Sequence, residues 1–249
     1  MAETEKRIAL LIDADNAPAA KIDVILAEVA RHGVANVRRA YGDWKNPHLK
    51  QWEGVLHEYA IRPIQQFAYS RGKNASDMAM VIDAMDLLYA RNLDGFAIIS
   101  SDADFTPLVM RLLTDGVKVY GFGEKKTPEP FVTACSKFTY IEALGQPAST
   151  EPTAASSRKS ATELRADTRL VQMLRSAVDS AAGDDGWAHL GVIGSQVSNQ
   201  ASFDSRNYGY RKLSDLIEAT GLFEVKRDNQ IVLVRDMPKG KAKGKAGSP

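Results

Sequence analysis

Residues 8–16, which read Ile8-Ala9-Leu10-Leu11-Ile12-Asp13-Ala14-Asp15-Asn16, decide the fold of this chain. The first five are apolar without interruption, as expected of a strand that is buried on both faces. A helical pattern follows over residues 17–32, with Pro18 near its start and Gly33 just past its end. A strand that leads directly into a helix indicates a β–α–β unit, the building block of parallel sheets.

The same alternation continues through the first half of the chain. Further apolar strand candidates are separated by helical patterns, and this order predicts an α/β fold with a parallel sheet and helices on both faces. The strand candidates are residues 37–41, 61–65, 96–99 and 117–120, and the helical stretches are residues 47–59, 76–91 and 105–115.

Composition divides the chain. Its 249 residues are 44% hydrophobic and 25% charged, which is ordinary for globular protein. After residue 144 the sequence becomes small, polar and proline-bearing, and such a segment buries too little apolar surface to order itself. We predict a large domain at residues 1–145, a flexible linker at 146–162, a small domain at 163–236 and a basic disordered tail at 237–249.

Several classes of protein are excluded by composition. The formal net charge of +1 indicates no partner by itself, and the single cysteine, Cys135, excludes a disulfide framework and a cysteine-based zinc site. No apolar run approaches the roughly 20 residues of a membrane helix, so we expect no membrane partner. The polar residues 1–7 lack the apolar segment of a signal peptide, and we expect a cytoplasmic protein.

Acidic residues follow two of the predicted strands and begin one helix. Asp13 and Asn16 follow the first strand, Asp102 and Asp104 follow the strand at 96–99, and Asp77 begins a helix. Carboxyl ends of parallel strands open on one edge, where clustered carboxylates repel and raise one another's pKa. Mg²⁺ or Mn²⁺ would remove that penalty and activate water for phosphodiester hydrolysis. The alternative is that these aspartates only cap helices or complement helix dipoles.

At these residues the sequence resembles the NYN family. Residues 12–16, 72–77, 100–105 and 119–140 match its motifs in order, and the similarity covers nearly all of residues 7–144. The resemblance implies a PIN-like fold that cuts RNA with Mg²⁺ or Mn²⁺. It implies metal ligands at Asp13, Asp77 and Asp102, a ligand or water-positioning group at Asp104, and a supporting hydrogen-bond partner at Asn16.

Possible RNA contacts lie beside the same predicted edge. Arg39 and Lys45 could neutralise phosphates, while Tyr41 or Trp44 could stack a base. Lys73, four residues before the acidic helix start, could hold the scissile phosphate. The alternative is that the two rings pack under a loop and that the arginine lies at a solvated strand end.

The second half of the chain has the pattern of a winged helix. Helical stretches at residues 161–182 and 190–197 and a helix ending at Gly221 precede two strand candidates, at 222–226 and 230–234. Helices followed by a hairpin predict a small α+β winged-helix domain.

Residues 187–225 resemble the OST-HTH (LOTUS) domain, which implies RNA binding or docking of a protein partner. Arg206, Arg211 and Lys212 could contact phosphates, and Tyr208 could stack a base. Alternatively, Tyr208 anchors the small core. This domain could also mediate homo-oligomerisation.

Together these features predict a metal-dependent ribonuclease whose C-terminal domain recruits RNA. One alternative is a catalytically inactive RNA-binding or scaffold protein. Another is a haloacid-dehalogenase-type phosphatase with Asp13 as the nucleophile. In that motif a single residue normally separates the second aspartate from a Thr or Val. Here Asn16 is the separating residue, and Ala17 stands where the Thr or Val would be.

Overall fold

The computed structural model describes residues 5–67, 75–90, 92–145, 158–200, 202–228 and 231–237. The chain forms two compact units, Met1–Gln146 and Pro147–Pro249. No helix in these described ranges is long and apolar enough to cross a membrane.

The first unit is built on a parallel sheet of six strands in the order β3-β2-β1-β4-β5-β6. The strands are β1 (Arg7–Asp13), β2 (Val34–Gly42), β3 (Arg62–Gln65), β4 (Gly95–Ile99), β5 (Lys118–Gly123) and β6 (Lys137–Tyr140). The predicted α/β fold is confirmed. The sequence did not predict β6 as a strand, because four residues are too short a run for a strand pattern to be recognised.

Among the described residues of this unit, five helices cover the two faces of the sheet. The helices are α1 (Ile22–Val29), α2 (Trp52–Glu58), α3 (Ala75–Ala90), α4 (Thr106–Thr114) and α5 (Glu129–Ala134). Alternate residues of a strand point to opposite faces, so Leu10 packs with α1 and α2 while Leu11 packs with α3, α4 and α5. The helix predicted at residues 17–32 is shorter than expected, because a 3₁₀ turn at Ala19–Lys21 precedes α1.

The strand order creates a crevice at the centre of the sheet. The chain moves outward from β1 to β2 and β3, and then crosses back through α3 to β4 on the other side of β1. Connections that leave in opposite directions open a cleft beyond the carboxyl ends of the two central strands. Asp13 is the last residue of β1, and the acidic loop at residues 100–105 follows β4.

The second unit is a small α+β domain, as predicted. Its helices are α6 (Ala161–Ala166), α7 (Thr168–Ala181), α8 (Leu190–Gln200) and α9 (Leu213–Thr220). Its antiparallel sheet has the order β7-β9-β8, formed by β7 (Ala188–His189), β8 (Phe223–Asp228) and β9 (Ile231–Asp236). The helices and β8–β9 hairpin enclose one apolar core around Leu174, Ile193 and Leu216.

Two boundaries in this unit differ from the predicted ones. The helix predicted at residues 161–182 divides at Asp167, whose carboxylate accepts a hydrogen bond from Leu170 N (3.0 Å) and starts α7. Residues 158–162 belong to the folded unit rather than to the linker, since Lys159 N donates to Tyr208 O (3.1 Å) and Ser160 caps α6. Of the tail predicted at 237–249, only residue 237 is among the described residues.

Candidate functional site

Asp13 is the buried acid at the centre of the crevice. It is 1% exposed, and its Oδ2 accepts hydrogen bonds from Asn16 Nδ2 (2.9 Å) and Ser100 Oγ (2.7 Å). Its Oδ1 is buried and has no hydrogen-bond partner among the described residues. Burial raises the pKa of Asp13, while the bonds from Asn16 and Ser100 oppose that rise. Hydrogen bonds therefore hold Oδ2 in place, while Oδ1 remains free to accept a hydrogen bond or to bind a cation.

Ser100 joins the acidic loops that follow β1 and β4. Its hydroxyl donates to Asp13 and accepts a hydrogen bond from Asp102 N (3.0 Å), and the residue is 1% exposed. Ser100 was not among the residues predicted for the site; its signal in the sequence was a hydroxyl directly after a buried strand and two residues before an acid. This one side chain fixes the backbone at Asp102 relative to the Asp13 carboxylate.

Asp102 and Asp104 lie on the turn that leads into α4. Asp102 Oδ1 accepts a hydrogen bond from Asp104 N (2.9 Å) and caps a 3₁₀ turn at Ala103–Phe105. Asp102 thus has the capping role as well as its place at the crevice. The Asp104 residue is exposed.

Asp77 lies in the first turn of α3 and is partly buried. Burial and then the charges of Asp13, Asp102, Asp15 and Asp104 raise the pKa of Asp77 to about 6. The first-strand loop, the β4 loop and the start of α3 are therefore electrostatically coupled at one edge of the sheet.

Asp15 is a further acid of this edge that the site prediction did not include. Partial removal of its carboxyl group from water and the charge of Asp43 raise the pKa of Asp15, while a hydrogen bond with Ser76 lowers it. The signal in the sequence was its place in the same loop as Asp13. The edge thus carries more negative charge than the predicted residues alone.

These residues have the right chemistry to bind a metal ion, but their side chains are not arranged around one point. Carboxylate oxygens are the ligand atoms that Mg²⁺ and Mn²⁺ prefer. Asp13 Oδ1, which has no hydrogen-bond partner, could be satisfied by such a cation. Within the described ranges, however, no group of three His, Cys, Asp or Glu side chains is arranged to hold a metal ion. Coordination by Asp13, Asp77 and Asp102 together would require side-chain movement, and the shared metal site stays a prediction.

Two residues predicted to contact RNA both interact with Asp83 on α3. Tyr41 is 1% exposed and its hydroxyl donates to Asp83 Oδ2, while Arg39 forms an ion pair with Asp83 Oδ1. Burial, followed by the hydrogen bond and charge of Asp83, raises the pKa of Tyr41. The structure corrects the prediction that Tyr41 stacks a base, because its ring packs inside the α3 face. The Arg39 guanidinium is partly exposed beside Asp83, and its phosphate contact stays a prediction.

The remaining predicted contacts of the first unit differ in exposure. Trp44 is half-buried, and its indole Nε1 donates to Ile64 O (3.0 Å), so it packs under the loop. Lys45 is exposed, with Nζ 4.9 Å from the centroid of the Phe67 ring. Lys73 lies outside the described residues.

In the second unit, Arg206 also pairs with a carboxylate. Its Nη2 is 2.6 Å from Oδ2 of the buried Asp204, and the predicted contact of Arg206 with phosphate stays a prediction. Tyr208 is half-buried and stacks on Phe203, with the Lys159 ammonium 4.8 Å from its ring centroid.

Arg211 and Lys212 precede α9 and are exposed. Their side chains therefore remain accessible to a phosphate backbone, and their predicted RNA contact stays a prediction.

Comparisons with known proteins agree with this architecture. The family model described as NYN domain matches residues 7–142, and the model described as OST-HTH/LOTUS domain matches residues 165–234. No curated protein matches the chain.

Two solved structures are similar to parts of the chain. One is a Vibrio parahaemolyticus protein of unknown function, with 17% identity and a TM-score of 0.48 over 57% of this chain and 96% of that chain. The other is an uncharacterised Nitrosomonas europaea protein, with 29% identity and a TM-score of 0.28 over 41% of this chain and 93% of that chain.

Proposed function

Because this chain belongs to the NYN family and also carries an OST-HTH/LOTUS domain, we propose that it hydrolyses RNA phosphodiester bonds with a divalent metal ion. The observation that carries the proposal is the Asp13 carboxylate. One of its oxygens is held by Asn16 and Ser100, and the other is buried without a partner at the crevice between β1 and β4. A buried unsatisfied acceptor is costly, and function explains why such a cost is retained.

The side chains at this edge have distinct roles in the proposal. Asp13, Asp77 and Asp102 would hold Mg²⁺ or Mn²⁺, which when bound supplies a more acidic water and charge stabilisation at the phosphate. Asn16 keeps the Asp13 carboxylate in position. Asp104 is exposed next to Asp102 and can bind the ion or accept a hydrogen bond from the attacking water.

The second unit would bring RNA to this edge. OST-HTH/LOTUS is an RNA-binding domain, and the exposed Arg211 and Lys212 supply cations for the phosphate backbone. Neither side chain needs to read a base for this role. The domain therefore contributes affinity more than chemistry.

A second candidate is an RNA-binding scaffold without catalysis. It is favoured because, within the described residues, no three His, Cys, Asp or Glu side chains are arranged to bind a metal ion. The phosphatase alternative has less support, because the family model that matches residues 7–142 is that of the NYN domain.

One assay separates the two candidates. Single-stranded RNA is incubated with Mn²⁺, with and without chelator, and with wild type, Asp102→Asn and Asp86→Asn. Asparagine caps a turn as well as aspartate does, so Asp102→Asn removes the charge and leaves the turn. Asp86 is exposed on α3 and its substitution is the matched control.

We expect metal-dependent cleavage by wild type and Asp86→Asn, and loss of cleavage in Asp102→Asn. Intact RNA in every lane, with RNA binding retained, would establish the scaffold instead.

A further inference from the structure

An exposed aromatic ring lies at the acidic edge, outside both apolar cores of the first unit. Phe67 follows β3 and is 45% exposed, and the described cores do not include it. The backbone before it is fixed, since Gln66 N donates to Gly42 O (3.1 Å) and so extends the pairing of β3 with β2. At 45% exposed, the ring leaves much of its apolar surface in contact with solvent.

A cation lies over this ring. Lys45 Nζ is 4.9 Å from the Phe67 centroid, which is within the range of a cation–π contact. The loop that carries Lys45 is tied to β3, because Trp44 N donates to Gln65 Oε1 (3.0 Å) and Gln65 Nε2 donates to Asp43 Oδ1 (2.7 Å). The ring and the ammonium are therefore presented together by two connected strand ends.

The neighbouring cations of β2 have other roles. Arg38 donates to the carbonyl oxygens of Ala35 and Tyr59, at 3.1 and 2.9 Å, and Arg39 pairs with Asp83. Lys45 is thus the cation of residues 34–45 whose charge faces solvent. An edge rich in carboxylates repels phosphate, so a cation beside it is needed to bring a nucleic-acid backbone close.

We propose that Phe67 and Lys45 form a docking site for one unpaired nucleotide, with the base stacked on the ring and a flanking phosphate at the ammonium. Aromatic rings and cations in a shared groove are the usual means of binding single strands without sequence preference. Ile64 of β3 is in register with Asp13 through Tyr41, and Phe67 lies three residues beyond it, so the ring's backbone is about 14 Å from that of Asp13 (about 10 Å across the sheet and about 10 Å along it). The docked nucleotide would therefore lie on the same edge of the sheet as the phosphate at Asp13.

The docking site sets the substrate class. A base within a duplex has its faces covered by stacked neighbours and cannot reach a side-chain ring without leaving the stack. The substrate is therefore single-stranded RNA, or an unpaired segment of a folded RNA. This inference rests on the proposed ribonuclease function.

Photocrosslinking tests the site without requiring catalysis. Single-stranded RNA carrying 5-iodouridine is irradiated with the full-length protein in EDTA, and the crosslinked peptide is identified by mass spectrometry. We expect a crosslink at residue 67 in wild type and in Phe67→Tyr, and its loss in Phe67→Ala. Tyr89→Ala is the control, because that ring is 70% exposed on α3 and should not affect the crosslink.

Kinetics provide the second readout. With Mn²⁺ present, Phe67→Ala should raise the KM for single-stranded RNA about ten-fold, as expected for the loss of one stacked base, and leave kcat within about two-fold. Lys45→Ala should raise KM and reduce its dependence on salt. Circular dichroism and thermal unfolding of each variant verify that the fold is retained.

The outcomes separate this inference from the proposed function. Cleavage with no crosslink at residue 67, and with an unchanged KM in Phe67→Ala, overturns the docking site and leaves the ribonuclease. A crosslink at residue 67 with no cleavage in any metal overturns the ribonuclease and leaves the docking site. Equal crosslinking by duplex and single-stranded RNA overturns the substrate class.

Discussion

Replacement of Asp77 by asparagine should stabilise the metal-free protein at neutral pH while it removes a proposed metal ligand. Burial and neighbouring carboxylates raise the pKa of Asp77 from 3.8 to about 6, so ionisation of this group costs free energy in the folded state. That change corresponds to at most about 3 kcal/mol. Asp77 is partly exposed, and screening by water and salt reduces the penalty substantially.

A favourable helix-dipole interaction offsets part of what remains. An acid in the first turn of α3 gains about 0.3–1 kcal/mol, which asparagine gives up. We therefore expect a net stabilisation of about 1 kcal/mol, or a rise in Tm of about 2–4 °C for a unit of this size. The measurement is thermal and urea unfolding of wild type and Asp77→Asn in EDTA at pH 7.5.

The pH dependence has a defined sign. Because the folded-state pKa of Asp77 is raised, the folded protein binds this proton more tightly than the unfolded chain does, and stability falls as pH rises from about 4 to 6. The advantage of Asp77→Asn should be full above pH 6, shrink below it and vanish near pH 4. Asp86→Asn, an exposed change on the same helix, should alter stability by less than about 0.5 kcal/mol.

Adding Mn²⁺ should reverse the order of the two proteins. A ligand at 100 times its dissociation constant stabilises the folded state by about 2.7 kcal/mol, and we expect this gain in wild type alone. If Asp77→Asn is no more stable than wild type at pH 7.5 in EDTA, or if its gain persists unchanged at pH 4, burial and the neighbouring carboxylates do not penalise ionisation of Asp77 in the folded protein, and the reasoning fails.

Three further outcomes are expected. Ser100→Ala should remove one of the two hydrogen bonds to Asp13 Oδ2, leaving the one from Asn16, and should take from Asp102 N its acceptor, costing about 1–3 kcal/mol in urea unfolding and lowering kcat; an unchanged midpoint would contradict the linking role of this hydroxyl. Tyr41→Phe should lower Tm with little change in RNA affinity, whereas a large loss of affinity at unchanged Tm would restore the stacking role. Deletion of residues 158–249 should raise KM for RNA far more than it lowers kcat, and full activity at limiting RNA would refute recruitment by the second unit.

The fold was predictable because its main signals are local. The apolar run before Asp13 and the alternation of strands with helices depend on residue spacing, and spacing alone distinguishes buried strands from amphipathic helices. The two resemblances were predictable for the same reason, since ordered motifs are read along the chain. The short strand β6 was missed because four half-apolar residues are not a sufficient pattern.

The fate of individual polar side chains was not predictable in this way. Arg39 and Tyr41 lie in a segment whose composition suggested RNA contact, yet Asp83, more than forty residues later in the chain, binds both. Ser100 became important only because β1 and β4 are neighbours. Hydrogen bonds and ion pairs of this kind depend on which distant residues meet, and no short stretch of sequence contains that information.

The sequence by itself determined the α/β framework, the two units and the edge at which acids collect, because hydrophobic periodicity and parallel topology require no knowledge of distant contacts. Only the tertiary structure decided which oxygen of Asp13 is left unpartnered, how burial and neighbouring carboxylates raise the pKa of Asp77, and which ring at the edge is exposed to solvent. Those properties arise from burial and from charges brought together across the sheet, and both exist only once the chain has folded.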